Sequence, residues 1–109
     1  MLAGAALVPL HAHADGALEQ RYGAAVRDAI QRVWIAPDGL AADAGCRLAI
    51  EQLPGGEVAA VEVMPDCAFD AAARQSLVRA VQRAAPLPYI GFEPVFSRSL
   101  TITFTSAAQ

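Results

Sequence analysis

The chain has 109 residues, 55% of them hydrophobic and 17% charged, which leaves room for one domain with ample material for a single core. A net charge of -3 and the lack of any Arg-dense stretch give a phosphate backbone nothing to grip, so nucleic acid is set aside as a partner. All 8 basic residues are Arg and Ala is abundant, a compositional bias that carries no mechanism.

The opening stretch, Met1 to Ala14, runs through an apolar segment into His11-Ala12-His13-Ala14. Its apolar part is too short for a bilayer, which takes about 20 residues, and Ala12-His13-Ala14 before Asp15 fits the A-x-A pattern of an export signal. A positive n-region is missing. The stretch therefore reads as a signal whose start lies upstream, a weak signal, or an apolar arm, and the folded domain is expected over residues 15–109. His11 and His13 have no third ligand nearby, so no metal site is expected there. Compartment decides the two cysteines: in an exported chain Cys46 and Cys67 pair, in a cytosolic one they stay thiols. No C-x2-C spacing and no partner His support a zinc site.

From Leu18 the apolar residues fall at Leu18, Tyr22, Val26, Ile30 and Val33/Trp34, the stripe of an amphipathic helix. Asp15 or Gly16 is expected to open it, and Ala36-Pro37-Asp38-Gly39 to close it, which sets the helix at Ala17 to Ile35. Cys46 to Leu53 alternates, with Leu48 and Ile50 opposite Arg47 and Glu51, and reads as a strand. Pro54-Gly55-Gly56 then supplies a tight reversal, and Glu57 to Met64 resumes as a second strand with Ala59, Val61 and Val63 on one face. Asp66 is the expected N-cap of a second helix, with Asp70 one turn in and Phe69, Ala73, Leu77, Ala80/Val81 and Ala84 as its buried stripe. Pro86-Leu87-Pro88 stops it. After a Pro-rich connection through Tyr89, Phe92, Pro94 and Phe96, the segment Ser99-Leu100-Thr101-Ile102-Thr103-Phe104-Thr105 alternates apolar and hydroxyl residues as a third strand. The order α-β-β-α-β predicts an α+β fold: a three-stranded antiparallel sheet covered on one face by two helices.

Catalysis needs convergent groups, and few are on offer. Ser76, Ser97, Ser99 and Ser106 lack a base, there is no Lys, and Glu51, Glu57, Glu62, Asp66 and Asp70 map to solvent faces and a helix cap. No enzyme activity and no cofactor are expected. The third strand stands out instead, because its outward face is Ser/Thr and a three-stranded sheet must leave edges with unpaired N–H and C=O groups. Such an edge can accept a partner's strand, or be blocked by the Pro-rich loop or an N-terminal arm.

The chain resembles the TolA/TonB carboxy-terminal domains. The resemblance rests on a Tyr22 to Trp34 helix followed by a Pro/Gly loop, Cys46-x-Leu-x-Ile with Leu-Pro-Gly-Gly-Glu-Val, a Phe69-Asp70 helix opening, Pro-Leu-Pro, and a final Phe-containing strand. It spans roughly Leu18 to Thr105, and the two cysteines make it similar to TolA in particular. It implies a Cys46–Cys67 disulfide, a binding edge at Ser99 to Thr105, and a non-enzymatic periplasmic role in the Tol-Pal system of cell-envelope integrity and transport. The implied partner is a TolB-like peptide added as a strand, with colicins and phage coat proteins as further ones. TonB-like binding of outer-membrane transporter peptides is the alternative within the family. A secreted hydrolase or inhibitor with a shallow site near Tyr89 and Phe92 is the alternative outside it. Membrane anchor and stalk, which full TolA and TonB carry, cannot both be served by Met1 to Ala14, so the chain reads as a stand-alone relative or as a fragment.

Overall fold

The computed structural model describes residues 10–106, with side chains from Gly16 onward. Two helices and three strands follow in the order α1 (Leu10–Val33), β1 (Gly45–Gln52), β2 (Val58–Val63), α2 (Ala71–Ala84) and β3 (Ser99–Thr105), with a short 3-10 turn at Glu93–Val95 before β3. The expected α+β architecture is present, and β3 has the expected bounds. The sheet order is β2-β1-β3, antiparallel throughout.

Period-two alternation places Cys46, Leu48 and Ile50 of β1, and Ile102 and Phe104 of β3, on the buried face, where both helices pack. Tyr22, Val26, Ile30 and Trp34 from the α1 stripe, with Ala73, Leu77, Ala80 and Val81 from α2, complete the core. The opposite face is polar and holds cross-strand pairs such as Ser99 Oγ to Glu51 Oε2 at 2.6 Å. Among the described residues no helix is long and apolar enough to cross a membrane.

Four local expectations need correction. Helix α1 begins at Leu10 rather than Ala17, so Asp15 and Gly16 lie inside it and do not open it. A single glycine costs a helix about 1 kcal/mol, too little to end an Ala-rich run. Helix continues through Leu10 to Ala14, while Met1 to Pro9 of the expected signal segment lie outside the described residues. The helix also ends at Val33, leaving Ile35 exposed.

Asp66 does not cap α2; Asp70 does, its Oδ1 accepting from Ala73 N at 2.9 Å. The cause is tertiary. Cys67 is bonded to Cys46, and Ala68 N donates to Gly45 O at 2.8 Å, so this segment is tied beside β1 and the helix waits until Ala71. Arg74 reinforces the tie, donating to Phe69 O and Cys67 O at 2.8 and 3.0 Å. Asp66 is left on the surface, where Arg47 Nη2 meets its Oδ2 at 2.8 Å.

In β2, Gln52 pairs with Val58 while Glu51 pairs with Ala60, so Ala59 is an extra residue. This bulge turns Ala59 out to solvent and brings Val58 onto the face of Val61 and Val63. Val58 replaces Ala59 in the expected inward set.

The hairpin turn has a role beyond reversal. Gly55 and Gly56 both adopt positive φ, +99° and +93°. Gly56 is also buried, and its carbonyl accepts from Leu87 N at 2.8 Å. The turn is thereby locked to the connection that leads from α2 toward β3.

Candidate functional site: the free edge of strand β3

Strand β1 occupies the middle of the sheet, so β3 has one paired side and one free side. Gln52 N donates to Arg98 O at 2.8 Å and Ser106 N to Ala44 O at 3.0 Å, just beyond each end of the β1–β3 ladder. Antiparallel pairs alternate between bonded and non-bonded residues, so Leu100, Ile102 and Phe104 spend their N–H and C=O groups on β1. Ser99, Thr101, Thr103 and Thr105 aim theirs at the free edge.

The strand's two chemistries are therefore divided by parity. Ile102 and Phe104 are buried and Leu100 is half-buried, so their side chains belong to the core and not to an external surface. Ser99, Thr101 and Thr103 are exposed, and it is their main chain that faces outward. Ser99 is already engaged, its carbonyl accepting from Ser97 Oγ at 2.8 Å and its N–H donating back to that hydroxyl at 3.3 Å. Thr103 O accepts from Arg27 Nε of α1 at 3.2 Å. Among the described residues Thr101 N–H, Thr101 C=O, Thr103 N–H and both main-chain groups of Thr105 have no hydrogen-bond partner. An extended backbone laid alongside could bond to this row.

A buried polar latch holds the start of this strand. Gln52, only 2% exposed, shares the inward face of Leu48 and Ile50; its Nε2 donates to Tyr22 Oη and to Ser97 O, the latter at 2.8 Å. This joins α1, β1 and the segment entering β3. Period-two counting from Leu48 and Ile50 already puts Gln52 inward, which was the signal available for it in the sequence. Arg27 carried no such signal, because its contact depends on where α1 crosses the sheet.

The other sequence candidates do not converge. Cys46 and Cys67 form the disulfide, and the described residues include no free cysteine. Glu51 binds Ser99, Asp66 binds Arg47 and Asp70 caps α2, while Glu57 and Glu62 stay exposed. Ser76 Oγ accepts from Trp34 Nε1 at 2.9 Å and donates to Ala73 O at 2.8 Å, as a packing partner for the indole. Tyr89 and Phe92 are half-buried against Phe96 and Tyr22, with ring centroids 5.2 and 5.4 Å apart. A shallow groove between β2 and α2, lined by Val63, Ala71, Arg74, Gln75 and Val78, contains no carboxylate.

These features define a small disulfide-linked α+β domain with an open sheet edge. Among solved structures, the chain is similar to a solution NMR structure of TolAIII bound to a peptide derived from the N-terminus of TolB. The TM-score is 0.59 at 21% identity, over 76% of this chain and 70% of that one. No family model matches the sequence, and no curated protein does. The likeness establishes a TolA C-terminal-like fold.

Proposed function

We propose that this domain is a protein-interaction module that accepts an extended segment of a periplasmic partner by strand addition on the edge Ser99 to Thr105. The observation that carries it is the row of unpaired main-chain groups at Thr101 and Thr103, exposed on a strand whose other side is fully paired. The TolAIII neighbour, which was solved with a TolB-derived peptide, supports a TolB-like segment as the partner class. The disulfide supports an oxidising compartment such as the periplasm. On this reading the domain is an adaptor in a Tol-Pal-type envelope system and has no catalytic task; colicins and phage coat proteins are further partners that such an edge would suit.

Proline substitution separates binding from folding, because Pro removes one N–H and fixes φ. At Thr101 or Thr103 the lost N–H points outward, so the β1–β3 ladder keeps its bonds. Thr101→Pro and Thr103→Pro are expected to retain the circular dichroism of the parent and lose affinity for the TolB-derived peptide. At Ile102 the lost N–H bonds β1 and the side chain is 4% exposed, so Ile102→Pro is expected to unfold the domain. Undiminished peptide binding by both threonine variants would rule out the edge as the site.

A further inference from the structure

Arg27 stands where a partner strand would have to pass. Its Nε donates to Thr103 O at 3.2 Å, which is the contact an added strand would make with one of its own N–H groups. The guanidinium thus fills one rung of the edge and leaves Thr101 N–H, Thr101 C=O and Thr103 N–H, with the Thr105 groups beyond them, open to pairing. Helix α1 runs alongside β3 in the same direction. Tyr22 lies at the Gln52–Ser97 latch before β3 begins, and the Trp34 ring meets Phe104 near its end, with centroids 6.5 Å apart. A strand added at this edge therefore has Arg27 at its flank.

The guanidinium carries five N–H donors, and only the Nε–H is used by Thr103 O. The ion pair recorded among the described residues joins Arg47 to Asp66, so Arg27 has no carboxylate there. One turn along the same face of α1, Gln31 Nε2 is buried and has no hydrogen-bond partner.

We infer that Arg27 is a specificity-determining residue of the docking edge: it sets the register of the added strand at Thr101–Thr103 and selects a segment bearing an Asp or Glu where the strand passes the guanidinium. The inference rests on the strand-addition function proposed above. The carboxylate accepts from the guanidinium nitrogens that Thr103 O does not use, and the strand's main chain takes the open groups of Thr101 and Thr103. Because Arg27 is half-buried, the pair is partly screened and its contribution is modest, an affinity factor of about threefold.

The test uses the full chain and two forms of the TolB-derived peptide that differ at one position, placed beside Arg27, with Glu in one and Gln in the other. Amide shifts at Thr101 and Thr103 report docking, and titration reports affinity. The parent is expected to prefer the acidic form about threefold, with the preference fading at high salt. Arg27→Gln is expected to bind both forms equally, whereas Arg27→Lys, which keeps the charge, retains part of the preference. Docking at the edge with equal affinity for both forms overturns the role of Arg27 and leaves strand addition standing. A preference unchanged in Arg27→Gln does the same. No shifts at Thr101 and Thr103 with either form overturns strand addition and this inference together.

Discussion

Adjacent glycines in the β1–β2 turn offer a matched pair for testing how the hairpin is held. Gly55 and Gly56 have nearly the same φ, +99° and +93°, yet a Cβ on Gly55 meets nothing within 4 Å while one on Gly56 would lie 2.1 Å from Leu87 O and 2.8 Å from Leu87 N. Gly55→Ala therefore suffers only the backbone strain of a left-handed residue, about 1 kcal/mol. Gly56→Ala suffers the same strain and must also push the Leu87 backbone away. That breaks the Leu87 N to Gly56 O bond at 2.8 Å, worth about 1 kcal/mol, and loosens the buried Leu87 side chain. A further 1 kcal/mol or so of lost packing brings the total to about 3 kcal/mol. Urea unfolding of the two variants measures the difference directly. Melting temperature should fall by about 15 °C for Gly56→Ala and about 5 °C for Gly55→Ala, on the scaling for domains of this size. Equal losses in the two variants would refute the claim that the turn is locked to the Leu87 connection.

Further outcomes follow from the corrected local structure. Asp70→Ala should cost about 1 kcal/mol through loss of the α2 cap, whereas Asp66→Ala, which breaks an exposed ion pair, should change stability by less than about 0.5 kcal/mol; chemical denaturation of both discriminates them. Replacing Cys46 and Cys67 together by Ala, which opens a cross-link spanning 21 residues of sequence, should cost about 3 kcal/mol in the chain-entropy picture. The same denaturation curves check it. Tyr22→Phe removes a partner of Gln52 Nε2 and should cost about 1 kcal/mol, again measurable by urea unfolding.

Much of the fold was legible in the sequence because the strongest signals are periodic and local. The Ser/Thr and apolar alternation of Ser99 to Thr105 delimits β3 as the structure has it, and the α1 stripe from Tyr22 to Trp34 does pack on the sheet. What escaped depends on contacts distant in sequence. Asp66 and Asp70 are equally good caps by residue type, and only the tie of residues 67 and 68 to β1 decides between them. The bulge at Ala59 follows from the pairing of two strands, and neither strand announces it alone. At the edge, alternation already separated Leu100, Ile102 and Phe104 from the outward Ser/Thr residues, but only the register with β1 shows that the main-chain groups of the odd residues point away from the sheet. Arg27 joined the edge only once the crossing of α1 was known.

Strand addition is tested most directly by titrating the isotopically labelled, disulfide-bonded chain with the peptide derived from the N-terminus of TolB and following its backbone amides. The account predicts the largest shifts, and new protection from hydrogen exchange, at Thr101 N–H and Thr103 N–H, with Ile102 N–H already protected before peptide is added. Shifts confined to the Tyr89–Phe92 loop or to the groove beside Val63 and Val78, with Thr101 and Thr103 unmoved, would contradict it.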